Sequence, residues 1–125
     1  MIFSKSRLAA AVLALGLGGA QAAWAHHSFA MFDLTREVTI QATVSEFQWA
    51  NPHVWIELDG MEGGKAVHYS VETANINILG RGGWNRNTLK PGDKVTLTMH
   101  PLKGRPGGGT LIRVVLPDGK VLGLN

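Results

Sequence analysis

The residues whose types could do chemistry fall in two places. The first is Ala23-Trp24-Ala25-His26-His27-Ser28. If the bond after Ala25 is cut, His26 becomes the amino-terminal residue. Its free amine and its imidazole can then chelate one metal ion, with His27 or His53 adding a further nitrogen to a T-shaped site. Amine and imidazole nitrogens suit Cu(II), which heads the affinity order of the divalent first-row metals. Met31, five residues on, offers a thioether, a soft donor for Cu(I). Cleavage after Ala22 would remove this possibility, and cleavage after Ala23 would leave Trp24-Ala25-His26, a copper or nickel motif with histidine third. Chain termini are often poorly ordered, and a histidine pair with no role is the plain alternative.

The second place is a pair of alternating segments, HVWIELD (53–59) and AVHYSVE (66–72). Side chains of a strand alternate between its faces, so His53, Trp55 and Glu57 lie opposite Val54, Ile56 and Leu58. His68, Ser70 and Glu72 likewise lie opposite Val67, Tyr69 and Val71. If residues 60–65 form a glycine-rich loop closing a regular hairpin, positions summing to about 125 face each other. Glu57 then faces His68 and His53 faces Glu72, with Trp55 and Ser70 between. Trp55, Glu57, His68 and Glu72 together make a candidate binding face. Two His–carboxylate pairs are the composition of a metal site or an acid–base pair, and equally of cross-strand charge pairing for stability. In WANPHVW (49–55), Asn51-Pro52 signals a turn with two indoles around it. Trp49 reads as packing, and Trp55 is open to either role.

Other residues give less. Met61 and Met99 are separated in sequence from the histidines, and Met99 falls on an apolar strand face that suits core filling. No G-x-S-x-G, H-E-x-x-H, C-x-x-C, P-loop, dinucleotide or calcium-loop string is present. A His–Glu pair without a nucleophile or oxyanion feature is thin evidence for hydrolysis. A histidine-held copper can activate oxygen, but nothing marks a substrate groove, so an enzyme is the weakest reading.

The elements that must position these residues are strands. The chain has 125 residues, no cysteine and a net charge of +3. Lys5 and Arg7, the apolar run 8–18 and the small residues ending in Ala23-Trp24-Ala25 have the form of a secretory signal peptide over residues 1–25. The apolar run is well short of the roughly 20 residues that span a bilayer. A single domain over residues 26–125 remains, and without Lys5 and Arg7 its charge falls to +1. That balance offers no concentrated basic face for nucleic acid. The expectation is a periplasmic or secreted domain, soluble after cleavage, with no membrane span and no disulfides.

Period-two alternation recurs over 38–44, 53–59, 66–72, 94–100 and 110–116. Between the third and fourth segments, Thr73 or Asn75 could cap a short helix, with Gly80 just past its end. Five strands with one short helix between strands 3 and 4 predict an all-β fold, a small OB-like barrel or an open sandwich.

The strings AHHSFAMFD, VSEFQWANPHVWIEL, YSVET, LGRGGWNRNTLKPGDKVT and VVLPDGKVL together resemble a family of small exported bacterial proteins, a domain of unknown function. The positions carrying this resemblance are His26, His27, Ser28, Phe29, Asn51, Pro52, His53, Trp84, Gly92 and Asp93. It implies a periplasmic β-domain and supplies no activity. The amino-terminal histidines also resemble those of small periplasmic copper carriers, a likeness that stops at the terminus. Two functions follow as expectations. One is copper carriage or sequestration through His26, His27, His53 and Met31. The other is a metal-free OB-type module binding a small envelope ligand or another envelope protein.

Overall fold

The computed structural model describes residues 29–124. Residues 29–31 belong to a unit apart from the one that begins at Phe32, and the fold is that of the second unit. It contains β1 (Val38–Gln48), β2 (Trp55–Glu62), β3 (Lys65–Glu72), α1 (Ile76–Arg81), β4 (Lys94–Pro101), β5 (Gly108–Val115) and β6 (Val121–Gly123). The sheet runs β3-β2-β1-β4-β5-β6, and a parallel pairing of β3 with β5 closes the first five strands on themselves. Closure through Ser70↔Gly108, Val71↔Gly109 and Glu72↔Thr110 makes this a barrel rather than an open sandwich. The helix between β3 and β4 completes the OB-type order.

Alternation puts the core where the sequence places it. Ile56, Leu58, Val71, Leu97 and Val114 are fully buried inside the barrel, and Leu79, Trp84 and Leu89 close one end. Burying each large aliphatic side chain is worth roughly 1.5–3 kcal/mol, which explains why apolar positions fix the inward face of every strand.

The β2–β3 turn differs from the expected six-residue loop. Both strands run on until only Gly63 and Gly64 separate them, with φ of 56° and 80°. Two consecutive positive φ values suit a tight primed hairpin turn, which glycine adopts without steric cost. The register therefore moves by two residues: Glu57 lies opposite Ser70, Asp59 opposite His68 and Trp55 opposite Glu72. A shift of two leaves every side chain on its face.

A second irregularity lies in β1. Its register against β2 shifts between Val44 and Glu46, so that Val44 pairs with Leu58 but Glu46 with Glu57. The extra residue reverses the alternation, turning Glu46 and Gln48 outward and Phe47 toward the core.

The helix is capped by Asn75, whose side chain accepts the Ile78 N–H at 2.9 Å. It continues past Gly80 to Arg81, with Gly82 as its C-cap. Thr73 is not the cap. It is buried, and its hydroxyl donates to the Val54 carbonyl at 2.7 Å, stitching the segment after β3 to the one before β2. The Asn51 side chain accepts the Ile76 N–H at 3.1 Å and so ties the turn carrying His53 to the start of the helix.

Candidate functional site

The outward faces of β1, β2 and β3 gather charged side chains in three rows fixed by strand register. One row is Gln48, Trp55 and Glu72; the next is Glu46, Glu57 and Ser70; the third is Thr43, Asp59 and His68, with Lys94 of β4 beyond Thr43. His53, just before β2, reaches Glu72 through Nδ1 at 2.5 Å. Four carboxylates thus share this face with two histidines and one lysine.

His68 lies between two of them. Its Nδ1 is 2.7 Å from Asp59 Oδ1 and its Nε2 is 2.8 Å from Glu57 Oε2. An ionised carboxylate only accepts, so both bonds exist together only when both ring nitrogens carry hydrogen. The geometry is that of an imidazolium. The hydrogen bonds to Asp59 and then to Glu57 raise the His68 pKa above its ordinary value. Because the folded-state pKa is raised, the stabilisation is fully present below the unfolded pKa of about 6.5 and is lost as pH rises through the folded value. The ring is 55% exposed, so solvent weakens the contribution.

Glu57 accepts side-chain hydrogen bonds at both carboxylate oxygens. Its side chain is 16% exposed; Oε1 accepts the Ser70 hydroxyl at 2.7 Å while Oε2 takes His68. Glu46 stands directly opposite it on β1. Like charges in that relation are destabilising, and Glu46 has no cross-strand cation as its direct partner. The structure thus brings His68 to Glu57 and His53 to Glu72, with Trp55 opposite Glu72. It adds Asp59 and Glu46, which sequence reasoning missed. Asp59 follows from the tight turn. Glu46 was signalled by the change of alternation from Val38, Ile40, Ala42 and Val44 to Phe47 and Trp49, the mark of a bulge.

His26 and His27 lie outside the described residues. Met31 ends the separate amino-terminal unit. Among the described residues, no group of three His, Asp or Glu side chains converges to hold a metal ion. At His68 the two ring nitrogens point to opposite edges and each is already engaged. His100 is also structural, its Nδ1 donating to the Arg36 carbonyl at 2.7 Å.

Beside the charged face, a groove of about 1000 Å³ opens over the first half of β1, with the β2–β3 hairpin on one side and the start of β4 and the end of β5 on the other. Ile40, Ala42 and Tyr69 line it with Asp59, Glu62 and Lys94, so it shares Asp59 with the face. Burial and the Glu62 carboxylate push the Tyr69 phenol pKa up, leaving Tyr69 a neutral hydroxyl at physiological pH. No helix among the described residues is long and apolar enough to cross a membrane.

No curated protein and no solved structure matches the chain. A family model described as a family of unknown function (DUF6152) matches residues 15–110, which include β1 to β4 and the whole charged face. The chain belongs to that family.

Proposed function

We propose that the protein is an exported binding module that takes a cationic ligand on the outer face of β1, β2 and β3, and is not a catalyst. The observation that carries this reading is the direct opposition of Glu46 and Glu57, backed by Asp59 and Glu72 and flanked by Trp55. A sheet that places like charges opposite each other gives up stability, and a ligand cation would recover it. An indole beside carboxylates adds cation–π attraction, strongest for guanidinium and ammonium groups. The amino-terminal signal-like segment supports export, and small OB barrels are used widely as binding scaffolds.

A short arginine-rich peptide, titrated into the purified protein near pH 8 and followed by tryptophan fluorescence and amide shifts, tests the reading. Binding should map to Trp55, Glu57 and Glu72, and the citrulline counterpart should bind at least tenfold more weakly, given roughly 1.5–3 kcal/mol for a hydrogen bond to a charged group. Trp55→Ala should weaken it while deletion of His26 and His27 does not. Equal binding of the two peptides would overturn the reading.

The sequence Ala23-Trp24-Ala25-His26-His27 favours a second reading, copper carriage or sequestration through an exposed amino-terminal His26. It predicts that the exported chain begins at His26 and retains one equivalent of Cu(II) in native mass spectra, and that His26→Ala abolishes retention. A chain that begins elsewhere, or stays metal-free, rejects it.

A further inference from the structure

We propose that the groove over the first half of β1 takes an extended acidic–apolar peptide segment of a partner protein, which adds as a strand to the free backbone edge of Val38–Gln41. This goes beyond the cation reading above and stands on other parts of the molecule: a strand edge, an apolar floor and one lysine.

The edge follows from the register. Val44 donates its N–H to the Asp93 carbonyl and accepts the Gly92 N–H, both at 2.8 Å and both on the side of β4. Backbone groups alternate sides along a strand, so those of Ala42, Ile40 and Val38 also point to β4, which pairs with β1 from Val38 to Thr43. Those of Thr43, Gln41 and Thr39 point the other way, toward β2. A Cβ on Gly60 of β2 would come within 3.2 Å of the Gln41 carbonyl oxygen, in keeping with that direction. Pairing with β2 nevertheless ends at Ala42↔Gly60. The Thr39 N–H and C=O and the Gln41 N–H therefore have no strand partner among the described residues. Strand edges are ordinarily guarded by charge, proline or a bulge. Val38-Thr39-Ile40-Gln41 has neither charge nor proline, and the bulge of β1 lies further on, between Val44 and Glu46. The Thr39 hydroxyl, 2.9 Å from that of Thr98, ties the segment to β4 and leaves its other edge open.

The space beside that edge suits a strand. It holds about 1000 Å³, and Ile40, Ala42, Tyr69, Val95 and Leu116 give it an apolar floor. An added strand would bond the edge through its main chain and set alternate side chains on this floor, the mode by which extended peptides enlarge a sheet. Charge specifies the side chains of its other face. The carboxylates that line the groove are both engaged: Asp59 with His68, and Glu62 with the Tyr69 hydroxyl while it stands opposite Lys65 in the hairpin. Lys94 also lines the groove, but its cross-strand neighbour on β1 is the uncharged Thr43. Among the described residues no carboxylate is within ion-pair distance of it. Acidic side chains on the outward positions of the added strand would complement that lysine.

The probe is an acetylated, amidated heptapeptide alternating glutamate and valine, titrated into the purified protein at about pH 7, where glutamate and lysine are both charged, and followed by amide NMR. Hydrogen exchange at Thr39 and Gln41 should slow on binding, while exchange at Ile40, whose N–H points to β4, should not. Residues opposite Thr39 and Gln41 share their outward face, so the glutamates carry the edge-facing N–H groups. Methylating the glutamate nitrogens should weaken binding about tenfold through the loss of main-chain hydrogen bonds; methylating the valine nitrogens should leave it intact. Lys94→Gln should weaken the glutamate peptide about two- to fivefold and leave a glutamine–valine counterpart unchanged. Equal binding of the two methylated peptides, or protection that leaves Thr39 and Gln41 untouched, would overturn strand addition at this edge. A glutamine–valine peptide that binds as tightly as the glutamate one would overturn the acidic assignment. Exchange at Thr39 that slows with protein concentration in the absence of peptide would place a second copy on the edge and overturn the partner. No binding at millimolar peptide would overturn the proposal outright, and none of these outcomes bears on the arginine-peptide test.

Discussion

Trp84→Ala should be among the most destabilising single changes in this protein, costing about 3–5 kcal/mol. The indole is 3% exposed and lies in the end cap of the barrel. Its centroid is 6.2 Å from that of Phe47 on β1, and its Nε1–H donates at 2.8 Å to the carbonyl of Gly123, the last residue of β6. The backbone of the same residue donates to the Leu79 carbonyl at 3.0 Å, fixing the chain as it leaves α1. One residue therefore joins the helix end through its backbone and the first and last strands through its side chain. Truncation leaves a cavity and an acceptor that has lost its donor. Trp84→Phe should retain most of the packing and lose about 1 kcal/mol for the hydrogen bond. Urea unfolding followed by circular dichroism measures both. An alanine variant within about 1 kcal/mol of the parent would show that the end cap does not hold the barrel together. Of the positions carrying the family resemblance, Trp84 thus has a packing role, distinct from the charged face.

The barrel was legible because its signal is repeated. Val54, Ile56 and Leu58 alternate with His53, Trp55 and Glu57, and the same pattern returns in four other segments, so individual errors of boundary do not change the class. Loop chemistry carried less information. Residues 60–65 contain three glycines, and composition alone does not say that Gly63 and Gly64 make the turn while Gly60 stays in the strand. The register error was two residues, an even number, so the face was right although the directly opposed partners were not. The side chains of Glu57 and His68 are long enough to meet diagonally, at 2.8 Å, across that shift. Glu46 was missed because a bulge is a local exception to the alternation on which the whole reading depended. The amino-terminal histidines were the most chemically suggestive string, yet their chemistry depends on a peptide bond being cut, which neither pattern nor packing records.

The two candidate sites make different physical demands. A metal centre needs several donor atoms converging on one point. On the charged face the donors are spread along rows set by strand spacing, with both ring nitrogens of His68 and Nδ1 of His53 already serving carboxylates. That arrangement suits an extended or planar cation held by several hydrogen bonds. Its rigidity comes from the backbone of β2 and β3, whose pairing is continuous from Trp55↔Glu72 to Glu62↔Lys65. The edge of β3 that carries Ser70 depends in turn on β5.

Gly109→Ala should therefore disturb both stability and the face. A Cβ at this position would overlap the His100 carbonyl oxygen and meet Met99 Sδ at 2.9 Å. Gly109 pairs with Val71 of β3 on one side and Pro101 of β4 on the other, at the point where the barrel closes. Backbone atoms on β4 cannot rotate away as a side chain would, so the cost should lie near the upper end of overpacking effects, about 3 kcal/mol. Strain relieved by parting β5 from β3 would expose the Ser70 N–H, which now donates to the Gly107 carbonyl at 3.0 Å. Hydrogen exchange at Ser70 should accelerate more than at Leu58, inside the continuous β2–β3 pairing. Gly80→Ala provides the opposite sign: it lies within α1 with no atom near its would-be Cβ, and should stabilise by about 0.5–1 kcal/mol. If Gly109→Ala unfolds at the parent's urea midpoint with unchanged exchange at Ser70, the β3–β5 pairing is not what closes the barrel. If Ser70 exchange rises ahead of global unfolding, the closure opens first, and arginine-peptide binding should weaken with it because Ser70 holds Glu57 in place.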